Sequence, residues 1–133
     1  MAEWIAQPGL ILFTENYDAC VRFYRDVLGL PVLFDKGHLI ALGFGSAYLM
    51  IENDGVASGG AKTRTQNPMT LRFNVEDVAA AARMLEGRGV GVELHHWDWG
   101  TTGHFLDPDG NRCEFKDQRD GFFAPRPTEE SGG

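Results

Sequence analysis

Apolar and polar positions along this chain change period in one order, and then do so again. Leu10-Ile11-Leu12-Phe13 is a continuous apolar run of strand length. Asn16 follows, a residue type favoured as a helix N-cap because its side chain can accept from first-turn N–H groups. From there Tyr17, Cys20, Val21, Tyr24, Val27 and Leu28 recur at the spacing of one helix face. Gly29 and Pro31 stop that helix. Strand-like stretches follow at Val32 to Phe34, Leu39 to Leu42 and Ala47 to Ile51, with glycines at 37, 43 and 45 between them.

The second half repeats the plan. A strand from Met69 to Val75 leads to Asp77 as N-cap, with Val78, Ala81, Ala82 and Leu85 on one helical face before Gly87 and Gly89. Strands are expected over Val90 to Trp97, Gly103 to Leu106 and Arg112 to Lys116. Asp107-Pro108-Asp109-Gly110-Asn111 is a turn sequence, since Pro presets one dihedral and Gly supplies a positive φ. Asn16 and Asp77 are 61 positions apart, while Gly45 and Gly110 are 65 apart. The second unit is therefore four residues longer, and the extra length falls around His95 to Thr102. The pattern predicts an α+β fold of two βαβββ modules, over residues 8–53 and 68–118. Each is a curved sheet with a helix on one face, and the other faces line an open, barrel-like concavity. Asn53 to Pro68 is the expected linker. One domain over 1–125 and a flexible tail over 126–133 complete the organisation.

Composition narrows the partners. The chain has 133 residues, 43% hydrophobic and 23% charged, a globular balance. Its net charge of −7 disfavours phosphate backbones and anionic lipid, so neither nucleic acid nor membrane is an expected partner. A neutral or cationic small molecule suits that field better. The first ten residues carry an acid and a proline without a basic flank, so no signal peptide is expected. Cys20 and Cys113 are too few for a disulfide framework. They suggest reduced core residues of a cytoplasmic protein rather than nucleophiles.

Two strings carry a family likeness. Phe23-Tyr24-Arg25-Asp26-Val27-Leu28-Gly29-Leu30-Pro31 resembles the first-helix signature of the glyoxalase / bleomycin-resistance / extradiol-dioxygenase family, the vicinal oxygen chelate superfamily. Phe105-Leu106-Asp107-Pro108-Asp109-Gly110-Asn111, with Glu114 after it, resembles that family's last hairpin. The resemblance spans roughly residues 8 to 118 and implies paired βαβββ modules and a homodimer. It covers metal-dependent lyases, isomerases, epimerases and dioxygenases, and also metal-free proteins that sequester drugs.

The resemblance places metal ligands on the first and last strand of each module. Here those positions hold Gly9, Leu49 or Met50, Thr70 and Glu114. One carboxylate does not hold a divalent ion, so no metal cofactor is expected. The alternative is a displaced site built from His96, His104 and Glu114, a two-histidine, one-carboxylate set serving a lyase or dioxygenase. Glu114 reads equally well as a structural glutamate on a strand's polar face.

The most unusual stretch is Glu93-Leu94-His95-His96-Trp97-Asp98-Trp99-Gly100. Trp97 and Trp99 have the same parity and would present a stacking wall, attractive to a planar or cationic ligand, or else plug the barrel or a dimer seam. Phe44, Tyr48, Met50 and Arg72 lie on cavity-forming strands. Arg72, between Leu71 and Phe73, needs a partner, either Glu114 or an anionic group of a ligand. Phe122-Phe123 is expected to pack on the domain or a second subunit. The expectation is a dimeric, metal-free protein that binds or sequesters a small aromatic or cationic molecule. Its candidate ligand-binding residues are Phe44, Tyr48, Met50, Arg72, Trp97, Trp99, His104 and Glu114.

Overall fold

The computed structural model describes residues 2–118, so the expected tail at 126–133 and the Phe122-Phe123 pair lie outside the described residues. The chain divides into two compact units. The first is Met1–Pro68 with Leu106–Asn111, and the second is Met69–Phe105 with Arg112 onward.

The first unit follows the hydrophobic pattern closely. Strands β1 (Gly9–Phe13), β2 (Val32–Asp35), β3 (Leu39–Phe44) and β4 (Ala47–Glu52) form a sheet in the order β1-β4-β3-β2. β1 runs parallel to β4, and the other pairs are antiparallel. Alternation assigns the two faces. Ile40, Leu42, Leu49 and Ile51 are buried on the face covered by helix α1 (Tyr17–Arg22), together with Cys20, Val21 and Tyr24.

The helix departs from its expected form in two ways. Past Arg22 the chain widens into a π-turn over Phe23–Val27, with Leu28 N–H donating to Phe23 O at 2.9 Å. The extra residue in that turn accompanies Phe23 packing edge-on against Tyr24, ring centres 5.0 Å apart. Asn16, expected to cap the helix as an acceptor, instead donates its Nδ2–H to Asp109 Oδ1 at 2.8 Å. A buried carboxylate outcompetes the helix end for that amide.

Asp109 belongs to the Asp107–Asn111 turn, and this turn organises the first unit. The fully buried Asp109 carboxylate also accepts from the backbone N–H of Glu15 (2.7 Å) and Asn16 (3.1 Å). Asp107, also buried, accepts from the Tyr24 hydroxyl at 2.7 Å, from Asn111 Nδ2 at 2.8 Å, and from the backbone N–H of Asp109 and Asn111. The former linker closes on the same turn. Ser58 N–H donates to Asp109 O, Lys62 N–H to Gly110 O, and Asn67 Nδ2–H to Asn111 Oδ1. Gly110 is required twice over. Its φ is +89°, and a Cβ there would sit 2.3 Å from Gly60 O.

The second unit repeats the topology, with β5 (Leu71–Asn74), β6 (Glu93–Trp97), β7 (Gly100–Leu106) and β8 (Arg112–Lys116) in the order β5-β8-β7-β6. Helix α2 (Val78–Gly87) is capped as the sequence predicts, Asp77 accepting from Ala80 N–H at 3.0 Å. Its buried side, Val78, Ala82 and Leu85, covers one face of the sheet. That face holds Leu71, Cys113 and the ring cluster Phe73, Phe105 and Phe115, with Phe105 and Phe115 centres 4.8 Å apart.

Burial pushes the Asp109 carboxyl up, but the donors at Glu15 and Asn16 outweigh it and hold the group below the usual carboxylate range. A depressed folded-state pKa stabilises the fold above the unfolded value and is lost as pH falls through the folded value. Asp109→Asn is therefore expected to cost about 2–3 kcal/mol near neutral pH, the scale of hydrogen bonds to a buried charge. Urea titrations at neutral and acid pH should show the wild type losing stability on acidification more steeply than the variant.

Candidate functional site

The helix-free face of each sheet carries its own chemistry. In the first unit it is nearly all apolar. Ile11, Phe13, Tyr48 and Met50 lie on it, and Ile11 and Phe13 are exposed. Phe44 is paired with Ala47, so it shares the parity of Ile40 and Leu42 and lies on the opposite face from Tyr48 and Met50. Gly9 is opposite Tyr48, and the tyrosine ring lies across it. A Cβ at position 9 would come within 2.1 Å of Tyr48 Cζ. Gly9 is thus a glycine because a phenol occupies the space above it.

In the second unit the corresponding face is polar and aromatic. The turn Asp98-Trp99 sets the register of β6 against β7, pairing Trp97 with Gly100, His95 with Thr102 and Glu93 with His104. Register on β5 and β8 places Arg72 beside Glu114. A continuous chain of contacts runs across these four strands. Arg72 Nε–H donates to Glu114 Oε2. The other carboxylate oxygen, Oε1, lies 3.5 Å from His104 Nδ1. His104 Nε2 is 2.9 Å from Thr102 Oγ1, which also accepts from Trp97 Nε1–H at 2.9 Å. Glu114 is only 8% exposed, so its charge needs these partners.

Aromatic rings extend the chain. The indoles of Trp97 and Trp99 are 5.7 Å apart and within 4° of parallel. His95 stacks on Trp97 at 5.6 Å, and its ring meets His104 edge-on at 5.1 Å. Both tryptophans remain about half exposed, at 46% and 45%. Lys116, 1% exposed, places Nζ 5.4 Å from the Trp99 ring and 2.9 Å from Asp117 Oδ1. Gly100 makes room for this: its φ is +149°, and a Cβ would fall 2.5 Å from Asp117 Oδ1.

Four of the sequence-predicted residues are thereby brought onto one connected face: Arg72, Glu114, His104 and Trp97, with Trp99 stacked at the end. Tyr48 and Met50 belong to the first unit's apolar face. Sequence reasoning missed His95 and Thr102. It grouped His96 with His104, but His96 pairs with Thr101 and lies on the opposite face, its Nδ1 3.2 Å from Thr101 Oγ1. A two-residue turn at Asp98-Trp99 was the available signal, because it fixes which histidine faces Glu114.

The metal positions implied by the family resemblance do not fit an ion. Gly9 offers no donor and is covered by Tyr48. Leu49 is buried against the helix side, and Met50 is a thioether. Thr70 Oγ1 lies 3.4 Å from Arg112 Nε. Glu114 remains, already engaged by a guanidinium. Among the described residues, no group of three or more His, Cys, Asp or Glu side chains is arranged to hold a metal. In the first unit, burial together with Asp107 and Asp109 pushes the Cys20 thiol far up, which keeps it protonated and unreactive.

Comparison with known proteins agrees with the fold. A model of the Glyoxalase/Bleomycin resistance protein/Dioxygenase superfamily matches residues 4–115, and the chain belongs to that superfamily. The uncharacterized protein YraH of Bacillus subtilis is 32% identical over 117 residues, covering 77% of this chain and 91% of YraH. Among solved structures, a lactoylglutathione lyase from Agrobacterium tumefaciens superimposes with a TM-score of 0.68 at 22% identity, over 89% of this chain and 97% of the lyase. TnmS3, an antibiotic binding protein from Streptomyces sp. CB03234, gives 0.67 at 23% identity, over 88% and 98%. No helix among the described residues is long and apolar enough to cross a membrane.

Thr102→Val keeps the side-chain shape but removes the hydroxyl between Trp97 and His104. It should cost about 1 kcal/mol, the net worth of a hydrogen bond. It should also change the near-ultraviolet circular dichroism, to which the stacked Trp97–Trp99 pair contributes. An unchanged spectrum would show that Thr102 does not hold the Trp97 ring.

Proposed function

We propose that this chain is a metal-free binding protein that sequesters a small planar aromatic molecule on the helix-free face of its second unit. The observation that carries the reading is the aligned, half-exposed Trp97–Trp99 pair, with Trp97 tied down at its indole nitrogen. Large exposed aromatics held in one orientation give a ligand contact area at little ordering cost. Solvent-exposed tryptophans of this kind commonly mark binding surfaces.

Fold alone does not choose between binding and catalysis, since a lyase and an antibiotic binding protein share it with this chain. The side chains favour binding. The positions that would hold an ion are apolar, small or already paired, and His104 has both ring nitrogens engaged within the protein. The reading further takes the chain as a cytoplasmic homodimer. Its two buried thiols suit a reducing compartment. The exposed Val32, Leu33 and Phe34 on the edge strand β2 suit burial against a second subunit.

Calorimetric titration with 2-naphthamide, a neutral bicyclic probe, is expected to show saturable binding. Trp97→Ala should weaken it about 3- to 10-fold, the scale of one aromatic pair. Affinity unchanged by that substitution would remove the stacking face from the reading. About one divalent ion per chain in protein purified without chelator would remove its metal-free part.

A further inference from the structure

We infer that Arg72 is the anion-recognising end of this same face, and that the ligand is an aromatic carboxylate rather than a neutral or cationic ring. The inference rests on the stacking face proposed above and specifies what lies at its other end. Arg72 is anchored through one nitrogen only. Its Nε–H goes to Glu114, and among the described residues its two Nη groups make no hydrogen bond. The side chain is 41% exposed, although its carboxylate partner is nearly buried. A guanidinium has five N–H donors in a planar fork. Clamped at Nε, it presents an edge suited to the two oxygens of a carboxylate.

The chain of contacts gives the ligand its direction. Glu114 draws the guanidinium over β8, and Thr102 draws the Trp97 indole over β7, the adjacent strand. Neighbouring strands are about 4.8 Å apart. Trp97 and Arg72 are rooted on the two edge strands, β6 and β5, with His104 and Glu114 between them, so an aromatic carboxylate stacked on Trp97 would lie over His104 to reach Arg72. The net charge of −7 opposes an anion only at long range, where salt screens it over about 8 Å. At contact, the fixed guanidinium decides. Glu114 has a double role here: it holds Arg72 through one oxygen and stands beside His104 through the other. It is a positioning residue, as Arg72 would otherwise be free to swing into solvent.

The test compares 2-naphthoate with 2-naphthamide, which share a ring system and differ in charge, by calorimetric titration at about 0.15 M salt. Wild-type protein is expected to bind the carboxylate at least about 10-fold more tightly. Because Arg72→Gln alone would leave Glu114 buried without its cation, the decisive variant is Arg72→Gln/Glu114→Gln, checked for folding by thermal unfolding. It should bring the two affinities within about 2-fold of each other. Equal affinities in the wild type, or a carboxylate preference that survives in the folded double variant, would overturn the inference while the stacking face stands. Binding of neither probe would overturn the stacking face, and this inference with it.

Discussion

Two buried carboxylates in one five-residue turn hold the first unit together. Asp107 and Asp109 have between them seven hydrogen bonds from the Tyr24 hydroxyl, from the backbone and side-chain amides of Asn16 and Asn111, and from the backbone of Glu15 and Asp109. Burying a carboxylate without such donors costs several kcal/mol. The surrounding chain is therefore constrained to supply them. The start of α1 and the π-turn that carries Tyr24 meet the needs of these two side chains, while residues 58–67 close on the backbone carbonyls and the Asn111 amide of the same turn. The turn's likeness to a family signature thus has a physical basis, and that basis is structural rather than catalytic.

With the scaffold fixed in this way, the exposed sheet faces are free to diverge. The first unit's face is mostly apolar, with Ile11, Phe13, Tyr48 and Met50 beside Glu52. The second unit's face is a chain of polar contacts ending in stacked rings. Both sheets have the same strand order and a helix on one side. The difference lies entirely in which residues occupy alternate positions. A duplicated unit can keep its core period while the outward parity changes, because only the inward parity is needed for burial.

Much of the fold was legible in the sequence, because it depends on period. Among the described residues, the eight strands and both helices overlap the stretches that the alternation and the 3.6-residue spacing marked, although the first helix turns π past Arg22, β6 begins at Glu93 and β7 at Gly100, and the Asp77 cap formed as expected. The Asn16 cap did not, since its competitor, Asp109, lies 93 residues away in sequence and no local rule could weigh it. The pairing of Arg72 with Glu114 was one of two partners foreseen for that arginine. The choice between His95 and His96 was not legible from periodicity alone. It turned on whether Asp98-Trp99 closes a tight turn, for which Asp98 is a common residue type and Trp99 is not. Trp99 was expected on an extended strand. It lies in the turn instead, yet its ring still stacks on Trp97, because a turn directly after a strand can return a side chain to the same face.

The contact between Gly9 and Tyr48 bears on how such a site changes over evolutionary time. A phenol ring has filled the space that any side chain at position 9 would enter. A single substitution there meets a steric barrier before it can confer a new donor, whatever its chemical merit. The Tyr48 ring must swing aside to admit it, giving up its place over the backbone of residue 9. Any new donor at position 9 therefore comes coupled to a rearranged Tyr48, so the two positions change together.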